Sequence, residues 1–157
     1  MDELPKAYNP KEVEDKIYKL WMESGFFTPE NLPERHKTPF TIVLPPPNVT
    51  AALHMGSALM LVIQDIMIRF ERMRGKKTLW IPGTDHASIA TEEKFLKDKK
   101  ISKSDYADKR DEFIKLINEF ALQNQNVIIK QMRAMGTSLD WTRLRYTLDL
   151  ERIEAVQ

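Results

Sequence analysis

The period of the hydrophobic positions changes several times along the chain, and each change marks an element. Asn9-Pro10-Lys11-Glu12 has the make-up of a helix start, with a capping residue, a proline at the first helical position and an acid at the third. Val13, Ile17, Leu20 and Trp21 follow at helical spacing, which predicts one packed face, and Gly25 closes the helix. Residues 28–38 are polar and proline-bearing and read as a loop, with His36 a solvated residue in it. At Phe40-Thr41-Ile42-Val43-Leu44 the pattern becomes a continuous run, as in a strand buried on both faces. Pro45, Pro46 and Pro47 stop that strand, since none has an N–H for a ladder. A polar turn follows, then His54-Met55-Gly56 and a long apolar helix. Its stripe of Leu59, Val62, Ile63, Ile66, Met67, Phe70 and Met73 is joined by Met60, Leu61 and Ile68 on other faces, which predicts burial against a sheet. Arg69, Arg72 and Arg74 give it a solvated basic end, and Gly75 a C-cap.

Lys77-Thr78-Leu79-Trp80-Ile81 reads as a second strand, ended by Pro82-Gly83. Strand, helix and strand predict a parallel βαβ unit with a right-handed crossover. A short helix is expected over 88–99 and a longer helical region from about 104 to 135, closed by Gly136. The stripe of the second comprises Phe113, Leu116, Ile117, Phe120, Ile128, Met132 and Met135, weakened by the polar tract Gln123-Asn124-Gln125-Asn126. Residues 138–149 read as extended or irregular, with Trp141 and Tyr146 as packing anchors and Asp149 capping a last short helix. The expected class is α/β, a parallel βαβ core with additional helices.

Composition narrows the function classes. The chain has 157 residues, 42% hydrophobic and 30% charged, as in a globular domain with its own core. Its 24 basic and 23 acidic residues nearly cancel, giving no general case for a nucleic-acid surface. Without cysteine there are neither disulfides nor thiolate metal sites. The three histidines, His36, His54 and His86, lack metal-ligand spacing, so no protein-bound metal is expected. No apolar signal segment or membrane-length run is present, and a cytoplasmic protein is the expectation. The chemistry gathers on one edge of the expected sheet. The first strand leads into the proline turn and a helix N-terminus, and the second runs into Thr84-Asp85-His86-Ala87. Such an edge suits a nucleotide, but the glycine spacing fits neither a dinucleotide fingerprint nor a P-loop. Taken alone, Asp85 reads equally well as a functional carboxylate or as a cap for the next helix.

Pro-Pro-Pro-Asn-Val-Thr at 45–50, His-Met-Gly at 54–56 and Trp-Ile-Pro-Gly-Thr-Asp-His-Ala at 80–87 together resemble the N-terminal catalytic segment of valyl-tRNA synthetases, class I enzymes. The stretch Thr137 to Asp149 resembles the family's segment ahead of its editing insertion. The resemblance implies a partial Rossmann-like fold: a helix and loop packing on the core (1–38), the first half of a class I catalytic domain (39–150) and an end before the editing insertion (151–157). It implies ATP-dependent activation of valine and transfer to tRNA(Val), with ATP as substrate and Mg²⁺ arriving with the nucleotide. By matching position, His54, Gly56 and Ser57 fall in the ATP-binding signature, Pro45, Pro46 and Asn48 in the wall of the amino-acid pocket, and Asp85 at the substrate ammonium.

The sequence also departs from that pattern. Ser57 stands where the signature has its second histidine, and losing one charge-assisted hydrogen bond costs on the order of 1.5–3 kcal/mol. Ala51 and Ser88 replace glycines, which strains the backbone if either position needs a positive φ. Glu92 replaces a glutamine and adds negative charge near the site. Lys100-Ile101-Ser102-Lys103-Ser104 resembles the family's second ATP motif, but that motif belongs far downstream, and here a serine cap between helices is expected. The editing insertion, the second half of the nucleotide-binding fold and the anticodon-binding region are absent, so a strand edge and apolar helix surface should seek a complementing half or self-association. Two readings follow: half of an enzyme whose activity is impaired or absent in this chain alone, or a degenerate, non-catalytic nucleotide- or partner-binding module. A truncated product without function is a third.

Overall fold

One extended run, residues 77–85, has parallel neighbours on both sides in the computed structural model, which describes residues 7–156. On one side β1 (Pro39–Thr41) pairs with β2 (Lys77–Leu79), Pro39 opposite Lys77 and Thr41 opposite Leu79, and Asn48 bridges Asp85 further along. On the other, β3 (Gly83–Thr84) pairs with β4 (Arg145–Tyr146). Prolines explain why these strands are short: Pro45, Pro46, Pro47 and Pro82 cannot donate to a ladder. Single bonds continue the alignment, such as Asp140 N–H to the Trp80 carbonyl at 2.9 Å. The helices are α1 (Pro10–Ser24), α2 (Met55–Met73), α3 (Ser88–Lys99), α4 (Arg110–Ala134) and α5 (Leu150–Val156). The parallel βαβ unit and the α/β class are as expected from sequence.

The core joins Leu61 and Ile68 of α2 and Ala121, Ile128 and Met132 of α4 to Leu44, Val49, Trp80 and Leu139. Trp80 is fully buried and its indole N–H donates to Gln64 Oε1 at 3.0 Å, the partner a buried tryptophan needs. The first strand is not buried on both faces: Leu44 is buried while Val43 is 83% exposed, so one face is covered and the other open. On α2 the expected packing stripe is the outward one. Leu59, Val62, Ile63, Ile66, Met67, Phe70 and Met73 are 45–74% exposed, while Leu61 and Ile68 face the core. A helix apolar all round gives periodicity two answers, and the sheet took the narrower one.

Nor does α1 bury a face. Ile17, Leu20 and Trp21 remain exposed, and the helix is held by polar and aromatic contacts. Tyr18 Oη donates to the Thr137 carbonyl at 3.2 Å and accepts from Trp141 Nε1 at 2.8 Å. The Arg69 guanidinium lies 4.3 Å from the Trp21 ring centroid. Asn9 precedes the helix as expected, but its side chain donates to Glu12 Oε1 rather than capping the backbone. His36 is buried, not solvated: its ring nitrogens lie 3.0 Å from the Pro33 and Arg72 carbonyls, fastening the loop to the end of α2. The basic end of α2 is likewise structural. Arg69 pairs with Asp65, and Arg72 donates to Thr78 Oγ1 and the Ser138 carbonyl, with burial pulling its pKa down to about 10. The long helical region starts later than expected, a 3₁₀ turn at Lys103–Tyr106 preceding α4. Gly25, Gly75 and Gly136 end their helices at positive φ.

Candidate functional site

Where the first strand ends, the chain walls a cleft of about 480 Å³. Its lining includes Pro45, Pro46, Asn48, His54, Gly56 and Ser57, so the structure gathers every sequence-predicted site residue but Asp85. Asp85 stands on the adjoining strand, tied to this wall by backbone bonds: Val49 N–H to the Asp85 carbonyl at 2.9 Å and Asp85 N–H to the Pro47 carbonyl at 2.8 Å. A turn this irregular leaves backbone groups unpaired unless side chains serve them. Helix α4 supplies those side chains. Asn124 Nδ2 donates to the Val49 carbonyl at 3.0 Å, Gln131 Oε1 accepts from Leu53 N–H at 2.8 Å, and Gln125 Nε2 donates to Thr84 Oγ1 at 2.8 Å. The polar tract that weakens the α4 stripe therefore supplies two of these three supports, Asn124 and Gln125. Its amides on an otherwise apolar face were the signal that sequence reasoning passed over.

His54 is the N-cap of α2, and its ring folds back over the first turn. Nδ1 accepts the Ser57 backbone N–H at 3.2 Å, and Nε2 lies 3.3 Å from Ser57 Oγ. Gly56 makes room for this. A Cβ there would sit 2.9 Å from His54 Cε1 and 3.0 Å from Nδ1, closer than side chains pack. The three residues thus form one local unit.

The second turn is pinned by a residue the sequence did not single out. Thr147 Oγ1 donates to Asp85 Oδ1 at 3.1 Å and accepts the His86 backbone N–H at 2.9 Å. Asp85 Oδ1 also accepts Ala87 N–H at 3.1 Å, while Ala87 itself is the N-cap of α3. Asp85 therefore shapes the approach to α3 without capping it, and among the described residues Oδ2 has no hydrogen-bond partner. On Tyr146, burial and then the charges of Asp85 and Asp149 raise the phenol pKa.

Ser88 has φ +34° and Ala87 φ +51°, whereas Ala51 is not at positive φ. Of the two replaced positions, only Ser88 strains its Cβ. Ser88→Gly is expected to stabilise the fold by roughly 0.5–1 kcal/mol, raising the melting temperature by about 1–4 °C; an unchanged or lower value in a calorimetric scan would contradict the strain. The charge added by Glu92 is answered by Lys103 at 2.7 Å. In the pentapeptide 100–104, Ser102 and Asp105 make a capping box for the 3₁₀ turn, as the serine-cap reading expected. Among the described residues no three His, Cys, Asp or Glu side chains are placed to hold a metal ion, and no helix is long and apolar enough to cross a membrane.

This geometry has clear relatives. Residues 16–157 match the family model for class I tRNA synthetases (I, L, M and V). The valine–tRNA ligase of Protochlamydia amoebophila is 45% identical over 161 residues, covering 100% of this chain and 16% of the relative. The chain belongs to the class I tRNA synthetase family. The Thermotoga maritima valine–tRNA ligase is also 45% identical, over 95% of the chain and 17% of the relative. The solved ternary complex of an Agrobacterium radiobacter LeuRS with tRNA and LeuAMS superposes with TM-score 0.76 at 16% identity, over 95% of this chain and 17% of that one. This agrees with a Rossmann-like class I fold. The chain spans about one sixth of the length of these family members.

Proposed function

We propose that this chain carries the amino-acid and nucleotide half-site of a valine–tRNA ligase, in which residues 39–150 form the first half of the catalytic domain. The observation that carries the reading is the cleft of Pro45, Pro46, Asn48, His54, Gly56 and Ser57 with Asp85 beside it, at the carboxyl ends of parallel strands. In the family reaction a valine carboxylate oxygen attacks the α-phosphorus of ATP. The bond from that phosphorus to the bridging oxygen breaks, pyrophosphate leaves with Mg²⁺, and valine is then transferred to tRNA(Val). The open Oδ2 of Asp85 supports a role in receiving the substrate ammonium, with Pro45, Pro46 and Asn48 as the rigid wall beside it. His54, Gly56 and Ser57 serve the nucleotide. Positioning and charge complementarity are what such residues contribute.

The outward apolar face of α2 supports a requirement for further polypeptide, a complementing half or a second copy, before chemistry proceeds. Two observations favour the alternative of a non-catalytic nucleotide- or partner-binding module: the serine at position 57 and the strained Ser88. Calorimetric titration separates the readings, using ATP with Mg²⁺ and then a non-hydrolysable valyl-adenylate analogue. Binding of both by wild type, weakened about tenfold for each in His54→Ala, is the expected result. A folded chain that binds neither at millimolar concentration has no half-site.

A further inference from the structure

The apolar side chains that α2 turns away from the core are laid out as a seam. Leu59, Ile63, Ile66, Phe70 and Met73 alternate spacings of four and three, the pattern of one helix lying along another. They are 51–74% exposed. Val62 and Met67 widen the seam, one on each side. Together these side chains expose on the order of 700 Å², above the ~300–600 Å² of the largest apolar patch on a typical monomer and near the ~800 Å² that each partner gives a standard interface. The charges of the helix are turned elsewhere: Asp65 and Arg69 pair with each other, and Arg72 donates to Thr78 and the Ser138 carbonyl. The seam also reads nearly the same from either end. Ile66 is its midpoint, with Leu59 and Met73 equally far before and after it.

We propose that this face of α2 is a two-fold interface with a second copy of the chain, the two helices antiparallel and meeting at Ile66. In that register Ile66 faces Ile66, Leu59 faces Met73 and Ile63 faces the larger Phe70, an isologous and self-complementary contact. Charge decides the direction. A parallel pair would set the two basic helix ends side by side, with the Arg74 side chain 59% exposed. The antiparallel pair holds those ends more than about 20 Å apart and opposes the helix dipoles favourably. The interface chooses one of the two covers named above and does not depend on the nucleotide reading: a monomer that binds ATP overturns the interface and leaves the half-site standing.

Sedimentation velocity on the full chain tests the proposal. Wild type is expected to be a dimer at about 100 µM, since interfaces of this size reach micromolar affinity or better. A monomer at that concentration overturns the proposal and leaves a complementing half as the cover. Ile66→Lys and Ile66→Glu each bring two like charges together on the axis, and each is expected to weaken self-association at least about hundredfold. Mixed in equal amounts they are expected to restore the dimer, because lysine meets glutamate only where position 66 faces itself. A mixture that stays monomeric, or single variants that dimerise like wild type, overturn the proposal. Val43→Lys, at a site 83% exposed and away from α2, is expected to dimerise like wild type; a loss equal to that of Ile66→Lys counts against the placement. The chain has no cysteine, so direction is read separately with a short bismaleimide. Leu59→Cys is expected to crosslink to Met73→Cys in a mixed dimer and not to itself, and self-crosslinking of Leu59→Cys overturns the antiparallel direction.

Discussion

Asp85→Asn is expected to weaken binding of a valyl-adenylate analogue by about ten- to hundredfold, with ATP affinity changed less than about twofold. The asymmetry follows from how the carboxylate is used. Oδ1 is committed to the Thr147 hydroxyl and the Ala87 amide, which fix the turn, and an asparagine oxygen can accept both bonds. Oδ2 is the atom left for a ligand, and asparagine replaces it with an NH₂ group that repels an ammonium. A bidentate role for the turn alone would show itself differently, as equal losses for both ligands or a fall in melting temperature. Thr147→Val is the control, since it releases Oδ1 and the His86 amide without changing charge.

The parts of the fold legible in sequence were those where backbone chemistry decides. Prolines, capping glycines and the alternation of strand and helix placed α3 at its observed bounds, 88–99, and put the two strands in parallel. The juxtaposition of the candidate residues was legible for the same reason: they lie in two short turns, and the βαβ connection brings those turns to one sheet edge. What sequence did not reveal was long-range choice. Leu59 and Leu61 are equally apolar, and only the position of the sheet decides that Leu61 is buried. His36 looked solvated among charges because its partners, the Pro33 and Arg72 carbonyls, are backbone atoms without a sequence signature. The contacts of Thr147, Asn124 and Gln131 with the site belong to the same class, each bridging more than sixty residues of chain.

The second large effect is on stability, and it lies away from the cleft. The Asp140 side chain has no exposed surface and is satisfied entirely from within. It accepts from Thr28 Oγ1 at 2.9 Å, from the Thr142 amide at 3.2 Å, from Thr142 Oγ1 at 2.6 Å and from Arg143. Arg143 in turn reaches Glu30 at 2.7 Å, so this carboxylate closes the loop after α1 onto the segment entering β4. Asp140→Ala leaves those donors unpaired and is expected to cost about 2–4 kcal/mol, a fall in melting temperature on the order of 10 °C. The acid sensitivity has a definite sign. Burial alone would push the carboxyl pKa up, but the hydrogen bonds from Thr142, Arg143 and Thr28 and the Arg143 charge outweigh it, and the net shift is downward. A carboxyl depressed on folding contributes stability that is fully present above its unfolded value, about 3.9, and lost as pH falls through the lower folded value. Wild type should therefore lose stability relative to Asp140→Asn as pH drops below about 4, the two curves converging in acid. Parallel curves for the two proteins across that range, in urea titrations at matched pH, would show that the charge of Asp140 plays no part in holding the fold.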